Sequence, residues 1–157
     1  MKTLQQWFDE YGVSHQNPIN KKVHFICVPA IYFSIVGLLM SIPSGILMRI
    51  SPFKEPMIDN WAVIVLLFVL FFYSRLSLMM AIKISIFSAI CIAINYIISW
   101  WLPLREVSLL IFVLAWIGQF YGHKIEGKKP SFLKDIQFLL IGPAWFIENL
   151  FTSKNKE

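Results

Sequence analysis

Ile84-Ser85-Ile86-Phe87-Ser88-Ala89-Ile90-Cys91-Ile92-Ala93-Ile94-Asn95-Tyr96-Ile97-Ile98-Ser99-Trp100-Trp101-Leu102 is the stretch that decides the fold class. It carries no Asp, Glu, Lys or Arg, and it closes on a tryptophan pair. An uncharged apolar run of about 18 residues or more is long enough to cross the hydrocarbon core as a helix. Paired tryptophans suit the membrane–water boundary. Three further runs repeat the pattern: residues 24–48, residues 61–73 extending past Arg75 to residue 80, and residues 107–121. A fifth run, residues 136–151, is shorter and holds Gly142, Pro143 and Glu148. It reads as a re-entrant or interfacial segment broken in the middle. The expected fold is an all-α polytopic membrane helix bundle of four full spans, one integral membrane domain over residues 1–157.

Composition agrees. Of 157 residues, 57% are hydrophobic and 15% charged, with a mean hydropathy of +0.65. A soluble domain carries about 25% charged residues. A soluble globular protein is therefore disfavoured, and a disordered one is excluded. Too few residues lie outside the apolar runs for a large appended catalytic domain. The net charge of +5 needs no nucleic acid, because cytoplasmic flanks collect Lys and Arg. With four spans and the N-terminus inside, eleven Lys and Arg fall on the inner side and three on the outer. Both termini are expected in the cytoplasm.

The N-terminal segment has its own pattern. Residues 1–22 contain no long apolar region, so no cleavable signal peptide is expected. Leu4, Trp7, Phe8 and Tyr11 fall at helical spacing, and Thr3 with Gln6 matches a capping box. This predicts a helix lying at the interface. Cys27 and Cys91 both sit in apolar runs and read as small buried residues rather than a disulfide.

Polar residues gather at one membrane face. Under the four-span reading, His15, His24 and His123 all lie at the cytoplasmic surface, although 99 residues separate the last two. Asn17 suits a helix N-cap and Pro18 the first helical position. A helix starting there puts Asn20 and His24 four apart on one face. Gln119, His123 and Glu126 follow i, i+4, i+7 spacing. Neutral histidine is the commonest metal-ligand side chain, and a ligating ring wants an acceptor on its other nitrogen. Asn20, Gln119 and Glu126 are the candidates for that role. The bland alternative is that interfacial histidines only meet lipid headgroups. Likewise Trp61, Trp100, Trp101 and Trp116 read as belt or core residues, and Lys128 and Lys129 as topology determinants.

Other chemistries are poorly represented. No Gly-rich phosphate loop, Ser/His/Asp set or CxxC motif is present. The span interiors carry no Asp, Glu, Lys or Arg, which disfavours a pump or transporter. Three histidines are too few for the clustered boxes of a membrane di-iron hydroxylase or desaturase.

Two polar stretches together resemble the membrane 2-hydroxy fatty acid dioxygenases, a family that includes the yeast enzyme of phytosphingosine breakdown. They are His15-x-x-Pro18-x-Asn20-x-x-x-His24 with Pro29 soon after, and Trp116-Ile117-Gly118-Gln119-Phe120-Tyr121-Gly122-His123-x-x-Glu126 with Lys129-Pro130 following. Gly142-Pro143 beside an aromatic run fits as well. The resemblance implies an integral membrane enzyme that uses Fe(II) and O₂ to shorten a long-chain 2-hydroxy fatty acid by one carbon. It places the metal on His15, His24 and His123. On that reading the substrate hydroxyl and carboxylate chelate the iron, and Lys21, Lys22 or Lys128 neutralises the carboxylate on approach. Asn20 and Glu126 are the expected catalytic helpers, with Gln119 behind the ligands. The membrane would be a bacterial inner membrane, or the endoplasmic reticulum in a eukaryote; a homo-oligomer stays open. The competing reading is a non-catalytic helical membrane protein that binds lipid or scaffolds a complex.

Overall fold

The computed structural model describes residues 2–13, 15–127 and 132–152, with backbone alone over 132–139 and 151–152. Seven helices and no strands occur among the described residues: α1 (Leu4–Val13), α2 (Pro18–Met40), α3 (Gly45–Ile50), α4 (Trp61–Leu76), α5 (Leu78–Trp101), α6 (Leu104–Glu126) and α7 (Phe132–Thr152). The helices α2, α5 and α6 are long and apolar enough to cross a membrane. Helix α4 is apolar but has 16 residues. At 1.5 Å per residue it rises about 24 Å, short of a hydrocarbon core of about 30 Å.

The helix boundaries depart from the apolar runs at identifiable residues. The second run was expected to continue past Arg75 to residue 80. Instead α4 stops at Leu76, and the Ser77 hydroxyl accepts from the Met80 N–H at 3.3 Å, capping a new helix. Serine favours this capping role over a helix interior. The first run ends at Met40 rather than residue 48, because Pro43 lies just beyond. Proline lacks an N–H and drives the residue before it out of the α region. Helix α2 also starts earlier than its apolar run. Asn17 accepts from the Ile19 N–H at 2.8 Å, and Pro18 opens the helix as expected. The last run is not broken at Gly142-Pro143: α7 continues through both as one 21-residue helix. Lone prolines are tolerated where neighbouring helices pack around them, and Pro143 is fully buried.

Residues 1–32 and 113–157 form one compact unit, and residues 33–112 another. In the second, α5 faces inward with Ile84, Ser88, Cys91 and Asn95 and outward with Ile82, Ile86, Ile90, Ile94 and Ile97. Small and polar residues inside with large apolar ones outside is the membrane pattern. The Asn95 amide donates to the carbonyls of Cys91 at 2.9 Å and Phe33 at 3.2 Å. Gly37 lets its helix approach: a Cβ there would run into Asn95 Oδ1 and Ser108 Oγ. Cys27 and Cys91 are free thiols, as expected.

The first unit carries α1, the beginning of α2, the end of α6, and α7. The capping box at its start forms in both directions, Gln6 N–H to Thr3 Oγ1 at 3.2 Å and Thr3 N–H to Gln6 Oε1 at 2.9 Å. The resulting helix buries Tyr11 at 3% exposure. Gly142 of α7 meets Val28 and the Tyr11 hydroxyl, which allows close packing there.

Candidate metal centre

His15 sits in the connection between α1 and α2 and is 1% exposed. Its Nδ1 lies 2.6 Å from the Tyr11 carbonyl oxygen, and its ring stacks on the Tyr11 ring at 4.0 Å and 11°. A carbonyl only accepts, so Nδ1 carries the proton. The neutral ring therefore presents a lone pair at Nε2. Burial pushes the His15 pKa down from 6.5 to about 4, with the Tyr11 carbonyl pulling the other way, so the ring is neutral at pH 7.

His24 lies one turn beyond Asn20 on α2, with both side chains buried. His123 lies in the last turn of α6 and is half-buried. Ring centroids are 4.2 Å apart for His15–His24, 4.9 Å for His24–His123 and 5.8 Å for His15–His123. One nitrogen from each ring lies within 4.8 Å of the others, so the three can hold a metal ion. His15 Nε2 sits 2.9 Å from His24 Nδ1, and the Tyr11 hydroxyl is 3.3 Å from the same nitrogen. With that tautomer His24 Nδ1–H donates to the His15 Nε2 lone pair; an ion on His15 Nε2 would take the place of this bond and leave the Tyr11 hydroxyl to accept from His24. That leaves His24 Nε2 buried with no hydrogen-bond partner among the described residues. A buried unpaired acceptor is costly, and a cation would satisfy it. The donor set and this orphaned nitrogen fit a divalent first-row ion.

The approach of α6 to α2 depends on two glycines. A Cβ at Gly118 would lie 2.6 Å from Cys27 Sγ, and one at Gly122 would meet Asn20 Oδ1 and His24 Cδ2. Glycines four apart let helices pack backbone to backbone in lipid. Here they bring His123 to His24.

Glu126, Asn20 and Gln119 are all close by, in different capacities. The Glu126 carboxylate accepts from the Gln16 N–H at 2.8 Å, the Asn17 N–H at 2.9 Å and the Asn20 amide at 3.0 Å. None of these bonds goes to an imidazole. Glu126 instead ties the end of α6 to the chain just after His15. Gln119 is buried and lines the same cavity as the three histidines. Lys21 is exposed and lines a different recess. Lys128 lies outside the described residues. The orienting group on His15, the Tyr11 carbonyl, has no sequence signal, because every residue has a carbonyl. In the sequence Tyr11 is one residue of an amphipathic stripe.

The cavity measures about 40 Å³, and Tyr11, Gln119 and the histidines supply its polar lining. Val28, Ile31, Tyr32, Trp116 and Pro143 form the apolar lining. Fold and site together define a protein that is all-helical among the described residues, with three helices long and apolar enough to cross a membrane and a largely buried three-histidine cluster able to hold a metal ion. The chain belongs to the Mpo1-like family: the family described as 2-hydroxy-palmitic acid dioxygenase Mpo1-like matches residues 1–154. No curated protein and no solved structure matches it.

Proposed function

We propose that this protein is an Fe(II)-dependent dioxygenase that shortens long-chain 2-hydroxy fatty acids by one carbon. The observation that supports this most is the three-histidine cluster, facing one cavity in a chain of a dioxygenase family. His15, His24 and His123 would hold the iron, whose redox chemistry would activate O₂. In the balanced reaction the 2-hydroxy acid and O₂ give CO₂, water and the shorter acid. The C1–C2 bond breaks, and all four electrons leave the substrate, so no 2-oxoglutarate is consumed.

The chain's own residues bind, orient and exclude water. The Tyr11 carbonyl holds the His15 tautomer. Glu126 and Asn20 fix the segment between His15 and His24. Gln119 provides a polar contact inside the cavity. The apolar lining, from Val28 to Trp116, keeps water from the reacting carbons. The charge bias of the flanks supports a cytoplasmic site and four spans, with α4 the shortest.

The test is anaerobic loading of the purified protein with Fe(II), addition of O₂, and mass analysis of products. The expected result is the one-carbon-shorter acid from a 2-hydroxy substrate and none from the plain acid of equal length. Equal turnover of both acids would refute a role for the hydroxyl. No shortened acid with iron demonstrably bound would favour the lipid-binding reading.

A further inference from the structure

The histidine cavity, at about 40 Å³, is far smaller than the roughly 300–1,000 Å³ of pockets that enclose a drug-sized ligand. It accommodates a polar head, not a long acyl chain. A second recess lies beside it between α2 and α7. This groove measures about 720 Å³ and is lined by Lys21, Lys22, Phe25, Ile26, Trp145 and Leu150, with Asn149 at its edge. Its chemistry is two-sided: two adjacent ammonium groups at the start of α2, then an apolar floor one turn deeper. Phe25 is braced by Phe146 at 4.6 Å between ring centroids, so that floor is built from both helices.

Trp145 connects the two recesses. Its ring lines the groove and also lies 5.3 Å from the Tyr11 ring and 6.0 Å from the His15 ring. One indole therefore separates the groove from the histidine cluster. A ligand whose head rests on Lys21 and Lys22 is a single side chain away from the metal-binding nitrogens.

We infer that the α2–α7 groove is the docking site for a single-chain fatty carboxylate, its head on Lys21 and Lys22 and its first methylenes against Phe25 and Ile26. The choice of occupant rests on the reading above, which makes such an acid the substrate, and on charge complementarity. An aliphatic chain suits the floor, and a carboxylate suits paired ammonium groups. In this arrangement the tail stays in the groove and the bilayer, and only the head crosses the Trp145 wall.

The experiment uses a palmitic acid probe with a mid-chain diazirine and the full chain in phosphatidylcholine nanodiscs, without O₂. Photolabelled peptides are then mapped by mass spectrometry. Labelling should concentrate on the segments around Phe25–Ile26 and Leu150. The double variant Lys21→Gln/Lys22→Gln should need roughly tenfold more probe for the same labelling, and Lys21→Arg/Lys22→Arg should restore it. The methyl ester of the probe should label wild type no better than the glutamine variant. Labelling spread evenly over the lipid-facing helices, or equal for acid and ester, would overturn the proposal. So would displacement of the acid by phosphatidylglycerol, with a diazirine phospholipid labelling the same segments; the groove would then be a phospholipid seat. No metal or turnover enters this readout, so its failure is separable from a failure of the dioxygenase assay.

Discussion

Among the described residues His24 Nε2 is buried with no hydrogen-bond partner, and the Tyr11 carbonyl fixes the His15 tautomer in which Nε2 bears the lone pair. Two rings prepared in this way lose their purpose if any of the three histidines is removed. His15→Ala, His24→Ala and His123→Ala are each expected to lose bound metal on purification while keeping their helical circular dichroism. Wild-type metal content in His123→Ala would remove that residue from the site. Glu126 acts one step back. Its carboxylate holds two backbone N–H groups and the Asn20 amide, and so fixes the chain that carries His15. Glu126→Ala should weaken metal binding about 10–100-fold, the usual cost of losing a partner behind a ligand. Glu126→Gln should recover part of it, since an amide oxygen still accepts. Metal titrations giving equal affinity for both variants and wild type would show that the clamp does not matter.

At the scale of elements, the site depends on how closely α6 lies against α2. Gly122 has no room for a Cβ beside Asn20 and His24, whereas a Cβ at Gly12 of α1 would have nothing within 4 Å. Gly122→Ala forces the helices apart or displaces His24. Overpacking of this kind costs about 1–3 kcal/mol and lowers Tm by roughly 2–10 °C. Metal affinity should fall with it, because the two helices carry different ligands. Gly12→Ala should leave both unchanged. A Gly122→Ala protein with wild-type Tm and metal affinity would contradict the packing argument. The elements also show how much of the fold was legible in sequence. Every apolar run became a helix, since period and hydropathy are local. Their ends moved at Ser77 and Pro43, where capping and a missing N–H outweighed hydropathy.

For the whole molecule, the bias of Lys and Arg in the flanks predicts the orientation. In a background with Cys27 and Cys91 replaced by serine, a cysteine at Lys54 should react with an impermeant maleimide from outside intact cells. A cysteine at Gly127 should react only after the membrane is opened. The reverse result would invert the protein and put the histidine cluster on the outer face. A cysteine at Gly127 reactive from outside, with one at Gln5 protected, would mean that α4 does not cross.

The class of protein was decided by sequence alone. Uncharged apolar runs near the thickness of a bilayer form helices long and apolar enough to cross one, and leave many large apolar side chains exposed that a bilayer would cover. The identity of the three histidines was legible too: each flanks an end of an apolar run, and the structure brings the three together. What surrounds them was not. Tyr11 serves through its carbonyl, which no residue type announces. Glu126 turned toward the backbone of residues 16 and 17 rather than toward a ring, a choice made by the positions of α2 and α6. The closeness of His24 to His123 rests on two glycines meeting a partner helix more than 90 residues away in the chain. Contacts of that kind arise only when helices pack, because a side chain's partner across a bundle is set by crossing geometry and not by its neighbours in sequence.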